Sequence, residues 1–424
     1  MNFVCQKSRL HGDVTIPGSK SHTIRAVALA SLAPGVSRIE APLDSGDARS
    51  SVRAFTALGA KIDCQPDVWT VQGTGGEPRT PDDVVDVGNS GTTVNIAMGS
   101  AALVRKGFTV FTGDCQIRRR PSGALLAALN DLGAWAESTR GNGCPPIVIR
   151  GRLKGGTTTI ECKSSQYLTS LLINCPLADG DSVIKVPVLE EKPYVEMTLD
   201  WLARQGIKLE RDGTKEFRIP GRQNYKAFSR RIPADFSSAT FFLCAGALGD
   251  NDVVVRGLDF NDTQGDKAVI DYLRQMGARV EVVPEGIRVR PGKLTGCYID
   301  LNATPDALPM MAVVACFAAG KTTLGNVAHA RIKETDRIAT MREELTKLGA
   351  NVTEKPDGLV IEQSELHAAE VDGHHDHRIA MALAVAGCAI PGITTVHTAE
   401  VATVTFPTFM DCLRSLGAGI STTE

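Results

Sequence analysis

The sequence has almost no net charge and few aromatic residues. Its 424 residues carry a formal net charge of −2, and only 5% of them are Phe, Trp or Tyr. Non-specific binding to nucleic acid or an anionic membrane requires an excess of Lys and Arg. The run of arginines at 118–120 lacks basic and aromatic neighbours,. We therefore expect neither a nucleic-acid nor a membrane partner, and any anion must bind to a local basic cluster.

Recognisable cysteine patterns are also missing. The eleven cysteines are scattered, without a CxxC pair or the Cys and His spacing of a zinc site,. An odd, unpatterned number is typical of reduced thiols in a cytosolic protein. The HHDH segment (374–377) imitates a metal cluster, but no matching carboxylate is evident,. We expect no metal and no cofactor.

No hydrophobic run is long enough to suggest a membrane protein. The longest uncharged stretch, 379–396, is rich in Ala, Gly and Thr and contains Pro391. This composition predicts a buried helix followed by a turn and a strand. The first residues contain neither a long apolar run nor a cleavage-site pattern. The length predicts two or three domains, and we expect a cytoplasmic protein.

The sequence does contain a repeat. A phrase centred on glycine, such as ALGAKI, recurs six times, about every 70 residues,. Its glycines are Gly59, Gly133, Gly206, Gly277, Gly349 and Gly417. Each follows an amphipathic stretch and precedes an alternating one, as glycine does between a helix and a strand. With the Ala-rich helix and β-branched run upstream, the pattern predicts six β-α-β-α-β-β units, an α/β fold.

The first helix of each unit is predicted to begin with small and polar residues. These beginnings are GSKSHTIR (18–25), GNSGTT (88–93), KSSQY (163–167), ADFSS (234–238), TPDALP (304–309) and HHDHR (374–378). Helix N-termini leave backbone N–H groups and the positive end of the dipole facing outwards. Several such ends directed into one space would bind anions, so we expect the site in a cleft between domains.

One further segment, HARIKETDR (329–337), combines cations with a carboxylate. Lys333 and Arg337 are spaced i,i+4, and Glu334 and Arg337 are spaced i,i+3. A helix that begins here and continues through MREELTKLG would place all three on one face. Such a face can hold an anion and move a proton nearby.

These motifs, in their order along the chain, resemble those of the EPSP synthase family, the 3-phosphoshikimate 1-carboxyvinyltransferases. The matching segments are PGSKSHTIRA (17–26), GNSGTT (88–93), RRRP (118–121), SSQYLTSLL (164–172), KPY (192–194), PDA (305–307), RIKETDRI (331–338), DHRIAMALA (376–384) and TFPTF (405–409). The resemblance implies two globular domains, each of three βαβαββ units around a pseudo-threefold axis (an inside-out α/β barrel), with a cleft between them. The implied domains are 16–228 and 1–15 plus 229–424.

The resemblance also implies a reaction. The enolpyruvyl group of phosphoenolpyruvate passes to the 5-hydroxyl of shikimate 3-phosphate and phosphate is released, on the shikimate pathway to chorismate and the aromatic amino acids. Two polyanions held side by side need fixed cations, and arginine meets carboxylate and phosphate with paired hydrogen bonds. These two small molecules are the expected partners, and we expect a monomer.

The resemblance assigns site residues position by position. The set for shikimate 3-phosphate is Lys20, Ser21, Arg25, Ser164, Ser165, Gln166, Tyr194, Asp306, His329 and Lys333. The set for phosphoenolpyruvate is Lys20, Gly91, Arg120, Gln166, Arg337, His377 and Arg378. The catalytic set is Asp306, Glu334, Lys20 and Lys333. Asp306 matches the acceptor of the hydroxyl proton and Glu334 the donor to the methylene carbon, while the base role stays open between Asp306 and Lys333.

Four residues depart from the family pattern. Asn95 and Val404 replace cations, Glu191 replaces a phosphate-binding Ser, and His329 stands where some members have Asn. Lost cations weaken the binding of polyanions, since each charge-assisted hydrogen bond contributes roughly 1.5–3 kcal/mol. Two alternatives therefore stay open: enolpyruvyl transfer to another hydroxyl, such as that of UDP-N-acetylglucosamine, and a non-catalytic paralogue that binds a shikimate metabolite.

Overall fold

The computed structural model describes all 424 residues, which separate into two compact units. We name them by their place in the sequence. The central unit is Gly18–Ile232, and the terminal unit combines Met1–Pro17 with Pro233–Glu424. Each unit has its own cluster of buried hydrophobic side chains.

Helices and strands alternate along the whole chain. The twelve α-helices are α1 (Lys20–Leu32), α2 (Gly46–Ala57), α3 (Gly91–Ala101), α4 (Gly123–Asp131), α5 (Ser165–Asn174), α6 (Lys192–Arg204), α7 (Phe236–Gly246), α8 (Val269–Met276), α9 (Leu308–Cys316), α10 (Arg337–Lys347), α11 (His377–Ala389) and α12 (Phe409–Ser415). The first twelve strands are β1 (Asn2–Gln6), β2 (His11–Thr15), β3 (Val36–Glu40), β4 (Lys61–Gln65), β5 (Val68–Gln72), β6 (Val85–Asp86), β7 (Phe108–Thr112), β8 (Trp135–Ser138), β9 (Ile147–Arg150), β10 (Gly156–Cys162), β11 (Ser182–Leu189) and β12 (Glu210–Asp212). The others are β13 (Glu216–Ile219), β14 (Ser229–Arg231), β15 (Asp252–Arg256), β16 (Arg279–Val283), β17 (Gly286–Arg290), β18 (Tyr298–Asp300), β19 (Lys321–Gly325), β20 (Asn351–Lys355), β21 (Gly358–Glu362), β22 (Glu370–Asp372), β23 (Ile393–His397) and β24 (Gly419–Thr423).

The strands form six four-stranded sheets, three in each unit. The orders in the central unit are β14-β3-β5-β4, β6-β7-β9-β8 and β10-β11-β13-β12. Those in the terminal unit are β16-β17-β15-β2, β18-β19-β21-β20 and β22-β23-β1-β24. Every sheet has one parallel pair, such as β6 with β7, and two antiparallel pairs. A parallel pair needs a crossover, which α3 supplies between β6 and β7,. The α/β class and the six repeated units are therefore confirmed.

The glycines that revealed the repeat have the predicted backbone conformation. All six have positive φ, between 75° and 104°. At Gly277 the backbone N–H donates to the carbonyl of Arg274 at the end of α8. A β-carbon there would lie 2.5 Å from the Lys293 carbonyl oxygen, so both the φ angle and the close approach require glycine.

The first helices of the units are the most deeply buried elements. Every residue of α7 and of α9 is buried, as expected of helices that are apolar on all faces. Helices α7, α9 and α11 pack against one another, and α3 packs against α1 and α5. The polar motifs lie at the N-terminal ends of these helices. None of the helices combines the length and the hydropathy that a bilayer span requires,.

The uncharged stretch 379–396 has the predicted structure. It lies within α11, the following turn and β23.

The helix predicted within 329–337 begins later than expected. Ala328–Ile332 form a 3-10 turn, and α10 begins only at Arg337. Asp336 is the N-cap, and its carboxylate accepts the N–H of Ala339 at 3.1 Å,. Lys333 and Glu334 therefore precede the helix, and the predicted shared helical face is wrong.

Because several buried thiols have raised pKa values, the protein is expected to lose stability in alkali. Burial raises the pKa of Cys162, Cys175 and Cys316 to about 12. The unfolded chain releases these protons from about pH 8.5 upwards, whereas the folded chain retains them. The unfolded state then binds fewer protons, so stability falls as pH rises, by about 1.4 kcal/mol per pH unit for each thiol.

Urea denaturation under reducing conditions between pH 8 and pH 11 measures this slope. Cys175→Ala is expected to reduce the slope, and Cys115→Ala, which removes an exposed thiol, is expected to leave it unchanged. A free energy of unfolding that stays constant over this pH range would contradict the prediction.

Candidate active site

In the central unit, the N-terminal ends of α3 and α5 come together around Arg120. A β-carbon on Gly91, the first residue of α3, would lie 2.5 Å from Arg120 Nη1, so only glycine lets the guanidinium approach the helix end. The Gln166 amide donates to Thr92 Oγ1 at 3.1 Å and accepts from Asn95 Nδ2 at 2.9 Å. Three residues predicted for phosphoenolpyruvate are thus neighbours. Asn95, in place of a cation, fixes the orientation of Gln166.

Tyr167 positions the arginine loop and was missed by sequence reasoning. Its hydroxyl donates to the carbonyl of Pro121 at 2.5 Å, which ties the residue after Arg120 to α5. Burial raises the pKa of Tyr167 to about 12, so the hydroxyl stays a donor at neutral pH. The SSQY motif contained this residue, but no spacing rule connects it with Pro121.

Lys20 is the first residue of α1 and pairs with a carboxylate. Its Nζ lies 3.1 Å from Oδ2 of Asp47, and both side chains are largely buried. Ser19 caps the helix by accepting the N–H of His22,. Asp47, in the first turn of α2, is a second residue that sequence reasoning missed.

Arg25 lies inside the central unit and binds oxygens of three helices. Its Nε donates to Thr198 Oγ1 at 2.9 Å, and Nη1 donates to the Ser21 carbonyl at 3.0 Å. Nη2 donates to Thr169 Oγ1 and to the Tyr194 carbonyl, at 3.3 and 3.0 Å. Burial lowers the pKa of Arg25 to about 10, which still leaves the guanidinium charged at neutral pH. Arg25 therefore connects α1, α5 and α6.

The serines of the SSQ motif form the beginning of α5. Ser164 is the N-cap, and its hydroxyl accepts the N–H of Gln166 at 3.4 Å. Ser165 is the first helical residue. Its backbone N–H and its hydroxyl both donate to one carboxylate oxygen of Glu191, at 3.1 and 2.7 Å. An anion of the protein itself is therefore bound at this helix end.

In the terminal unit, three carboxylates surround Arg337, whose side chain is only 1% exposed. Its Nη1 donates to Asp306 at 2.7 Å and its Nη2 donates to Glu334 at 2.6 Å. Asp376 accepts from Nε at 2.7 Å and from Nη2 at 3.2 Å. Burial by itself lowers the pKa of the guanidinium, but the carboxylates of Asp376, Glu334 and Asp306 outweigh burial and raise it,. Arg337 therefore stays charged and holds the two predicted proton-transfer residues, Asp306 and Glu334.

Asp306 also contacts a second arginine. Its other carboxylate oxygen lies 2.9 Å from Nη2 of Arg378. Arg378 is the second residue of α11, and its backbone N–H donates to Asp376, the N-cap of that helix, at 2.9 Å. Asp376 is fully buried and was missed by sequence reasoning. Its position as a cap before an apolar helix, at the start of the DHRIAMALA motif, could have indicated it,.

Two further predicted residues, His329 and His377, are buried. His329 is buried in the 3-10 turn that precedes Lys333. His377, the first residue of α11, is buried with its Nδ1 at 3.9 Å from Asp376. Val404 ends the 3-10 turn Ala399–Val404, just before the TFPTF motif.

The HHDH segment does have a carboxylate beside it, so the sequence-based reason for excluding a metal there is wrong. His374 Nε2 lies 2.6 Å from Oε1 of the fully buried Glu344. The ammonium of Lys347 lies 2.7 Å from the same oxygen. Glu344 also accepts the N–H of Asp372 at 2.9 Å. These contacts join the loop before α11 to Glu344 of α10.

Comparisons with known proteins agree with one another. A family model described as EPSP synthase (3-phosphoshikimate 1-carboxyvinyltransferase) matches residues 4–413. The 3-phosphoshikimate 1-carboxyvinyltransferase of Acetivibrio thermocellus is 52% identical over 419 residues, covering 99% of each chain. The enzyme of the same name from Methanococcoides burtonii is 44% identical over 430 residues, and the alignment covers 100% of both chains. A solved structure of EPSP synthase from Acinetobacter baumannii superposes with a TM-score of 0.82 at 27% identity, over 99% of this chain and 100% of that one.

Proposed function

Because the chain belongs to the EPSP synthase family, the 3-phosphoshikimate 1-carboxyvinyltransferases, we propose that it transfers the enolpyruvyl group of phosphoenolpyruvate to the 5-hydroxyl of shikimate 3-phosphate and releases phosphate. It is a transferase of the shikimate pathway. The observation that supports the reaction most directly is the contact of one buried guanidinium, that of Arg337, with both Asp306 and Glu334. These are the two carboxylates to which the resemblance assigns the proton transfers.

We propose that Glu334 donates the proton that the methylene carbon of phosphoenolpyruvate gains. Its contact with Arg337 holds the carboxyl group in one orientation, which a proton donor needs. Asp306 is the proposed acceptor of the hydroxyl proton. Since both its oxygens contact arginines, the acceptor is held in place on two sides. Lys333, which directly precedes Glu334, is the other candidate for this base.

The remaining site residues are proposed to bind and neutralise the two substrates. The proposed set for shikimate 3-phosphate is Lys20, Ser21, Arg25, Ser164, Ser165, Gln166, Tyr194, Asp306, His329 and Lys333. The proposed set for phosphoenolpyruvate is Lys20, Gly91, Arg120, Gln166, Arg337, His377 and Arg378. Two polyanions repel each other at contact distance, and fixed guanidinium and ammonium groups reduce that repulsion. We further propose that the enzyme acts in the cytoplasm as a monomer, with the domains 16–228 and 1–15 plus 229–424.

Lys20→Met is expected to weaken the binding of both substrates. Lys20 is assigned to both, and methionine keeps most of the volume while it removes the charge, at a cost of roughly 1.5–3 kcal/mol for each charged hydrogen bond. Calorimetric titration with each ligand measures the effect, and Lys61→Met, at an exposed position of β4, is the matched control. Loss of affinity for one ligand alone would show that Lys20 touches only that ligand.

Growth of an aromatic-auxotrophic strain that lacks this enzyme tests the proposed function. The wild-type chain is expected to restore growth without aromatic amino acids. The Glu334→Gln chain is expected to fail at an equal protein level. Failure of the wild-type chain, with folded protein present in the cells, would contradict the proposal.

A further inference from the structure

Glu191 is a buried carboxylate that the proposed reaction does not use. Its side chain is 2% exposed, and the residue lies immediately before α6. Its backbone has φ of +55°, a conformation that is uncommon for a residue other than glycine. Lys192 and Pro193 then begin α6. A charged side chain in a strained backbone position, away from solvent, requires a specific partner.

That partner is the beginning of α5. The backbone N–H and the hydroxyl of Ser165 both donate to Oε2 of Glu191, at 3.1 and 2.7 Å. Helix N-termini bind anions through such N–H groups and the positive end of the dipole. The carboxylate of Glu191 thus occupies an anion-binding position of the central unit.

Ser165 belongs to the set proposed for shikimate 3-phosphate, whose phosphate group needs hydrogen-bond donors of this kind, and the inference rests on that proposed function. Ser165 offers one backbone N–H and one hydroxyl proton. These two protons cannot form full hydrogen bonds with the Glu191 carboxylate and with a phosphate oxygen at the same time. A carboxylate left beside a phosphate would also repel it.

We propose that Glu191 is a specificity-determining residue, a tethered anion that competes with the acceptor's phosphate for Ser165. It reduces the advantage that a phosphorylated acceptor has over its unphosphorylated analogue. The phosphate of shikimate 3-phosphate must displace the carboxylate, whereas shikimate, which carries a hydroxyl there, leaves it in place.

Titration calorimetry with shikimate 3-phosphate and with shikimate, without phosphoenolpyruvate, tests this inference. Glu191→Ser is expected to lower the Kd of shikimate 3-phosphate about tenfold, because a charged competitor for two hydrogen bonds is removed. The Kd of shikimate is expected to stay nearly unchanged. Glu191→Gln, which keeps the shape and removes the charge, is expected to give a smaller change in the same direction. Glu190→Gln, at the neighbouring residue, is the matched control and is expected to change neither Kd.

The ratio of the two Kd values separates competition from a general loosening of the site. Equal changes for both ligands, weaker binding of shikimate 3-phosphate, or no binding of it by either Glu191 variant would overturn the inference. If thermal melting shows that one Glu191 variant does not fold, the Kd values of the other variant test the inference.

Turnover of the wild type separates this inference from the proposed function. Phosphate release with shikimate 3-phosphate, together with an unchanged Kd ratio in the variants, would remove the role of Glu191 alone. A changed ratio of the two Kd values without any turnover would contradict the proposed function but would still support the role of Glu191.

Discussion

Glu334→Gln is expected to lower kcat by about 100-fold or more, since general acid catalysis contributes roughly 10²–10⁴-fold. Glutamine has the same shape and can still accept the hydrogen bond that Arg337 donates at 2.6 Å. It cannot supply a carboxylic proton to the methylene carbon. Binding of shikimate 3-phosphate is expected to persist, so steady-state kinetics combined with calorimetry separate the chemical step from binding.

Glu343→Gln is the matched control for this prediction. Glu343 lies on α10, is 49% exposed and pairs with Lys347 at 3.4 Å. Exposed pairs of this kind contribute little to stability, and kcat is expected to stay at the wild-type value. An unchanged kcat in Glu334→Gln would remove Glu334 from the proton transfer.

Arg337→Met is expected to destabilise the terminal unit by about 3–5 kcal/mol, the usual cost of removing one partner from a buried ion pair. The substitution leaves the carboxylates of Asp306, Glu334 and Asp376 close together without the cation that lies among them. Urea denaturation at pH 7 measures the effect.

Arg342→Met, on the same helix, controls for the loss of an arginine. Arg342 is 43% exposed and lies 3.5 Å from Glu354, a contact expected to contribute less than about 1 kcal/mol. If the two variants unfold at the same urea concentration, the contacts of Arg337 with the three carboxylates do not stabilise the fold more than an exposed ion pair does.

The repeated architecture was predictable because its signals are local. A glycine with positive φ, an apolar helix and a turn each leave their pattern within a few residues, and the structure has that pattern in all six sheets. The beginning of α10 shows the limit of local reasoning. The spacing of Lys333, Glu334 and Arg337 fits a helix, but Asp336 is the better N-cap and starts the helix later,.

The contacts of the site were less predictable because they join residues distant in sequence. Arg337 binds Asp306 from 31 residues away and Asp376 from 39 residues away. Likewise, no sequence motif indicates that Asp47 contacts Lys20 or that Glu191 contacts Ser165. The resemblance to a family supplied candidate residues, whereas the side chains that orient them emerged only from the folded chain.

Phosphate release from phosphoenolpyruvate by the purified protein tests the central claim most directly, with shikimate 3-phosphate, shikimate or UDP-N-acetylglucosamine as the acceptor. The proposed function predicts sustained release with shikimate 3-phosphate, matched mole for mole by its 5-enolpyruvyl ether. Release that depends on UDP-N-acetylglucosamine alone, or no release with any acceptor, would contradict it.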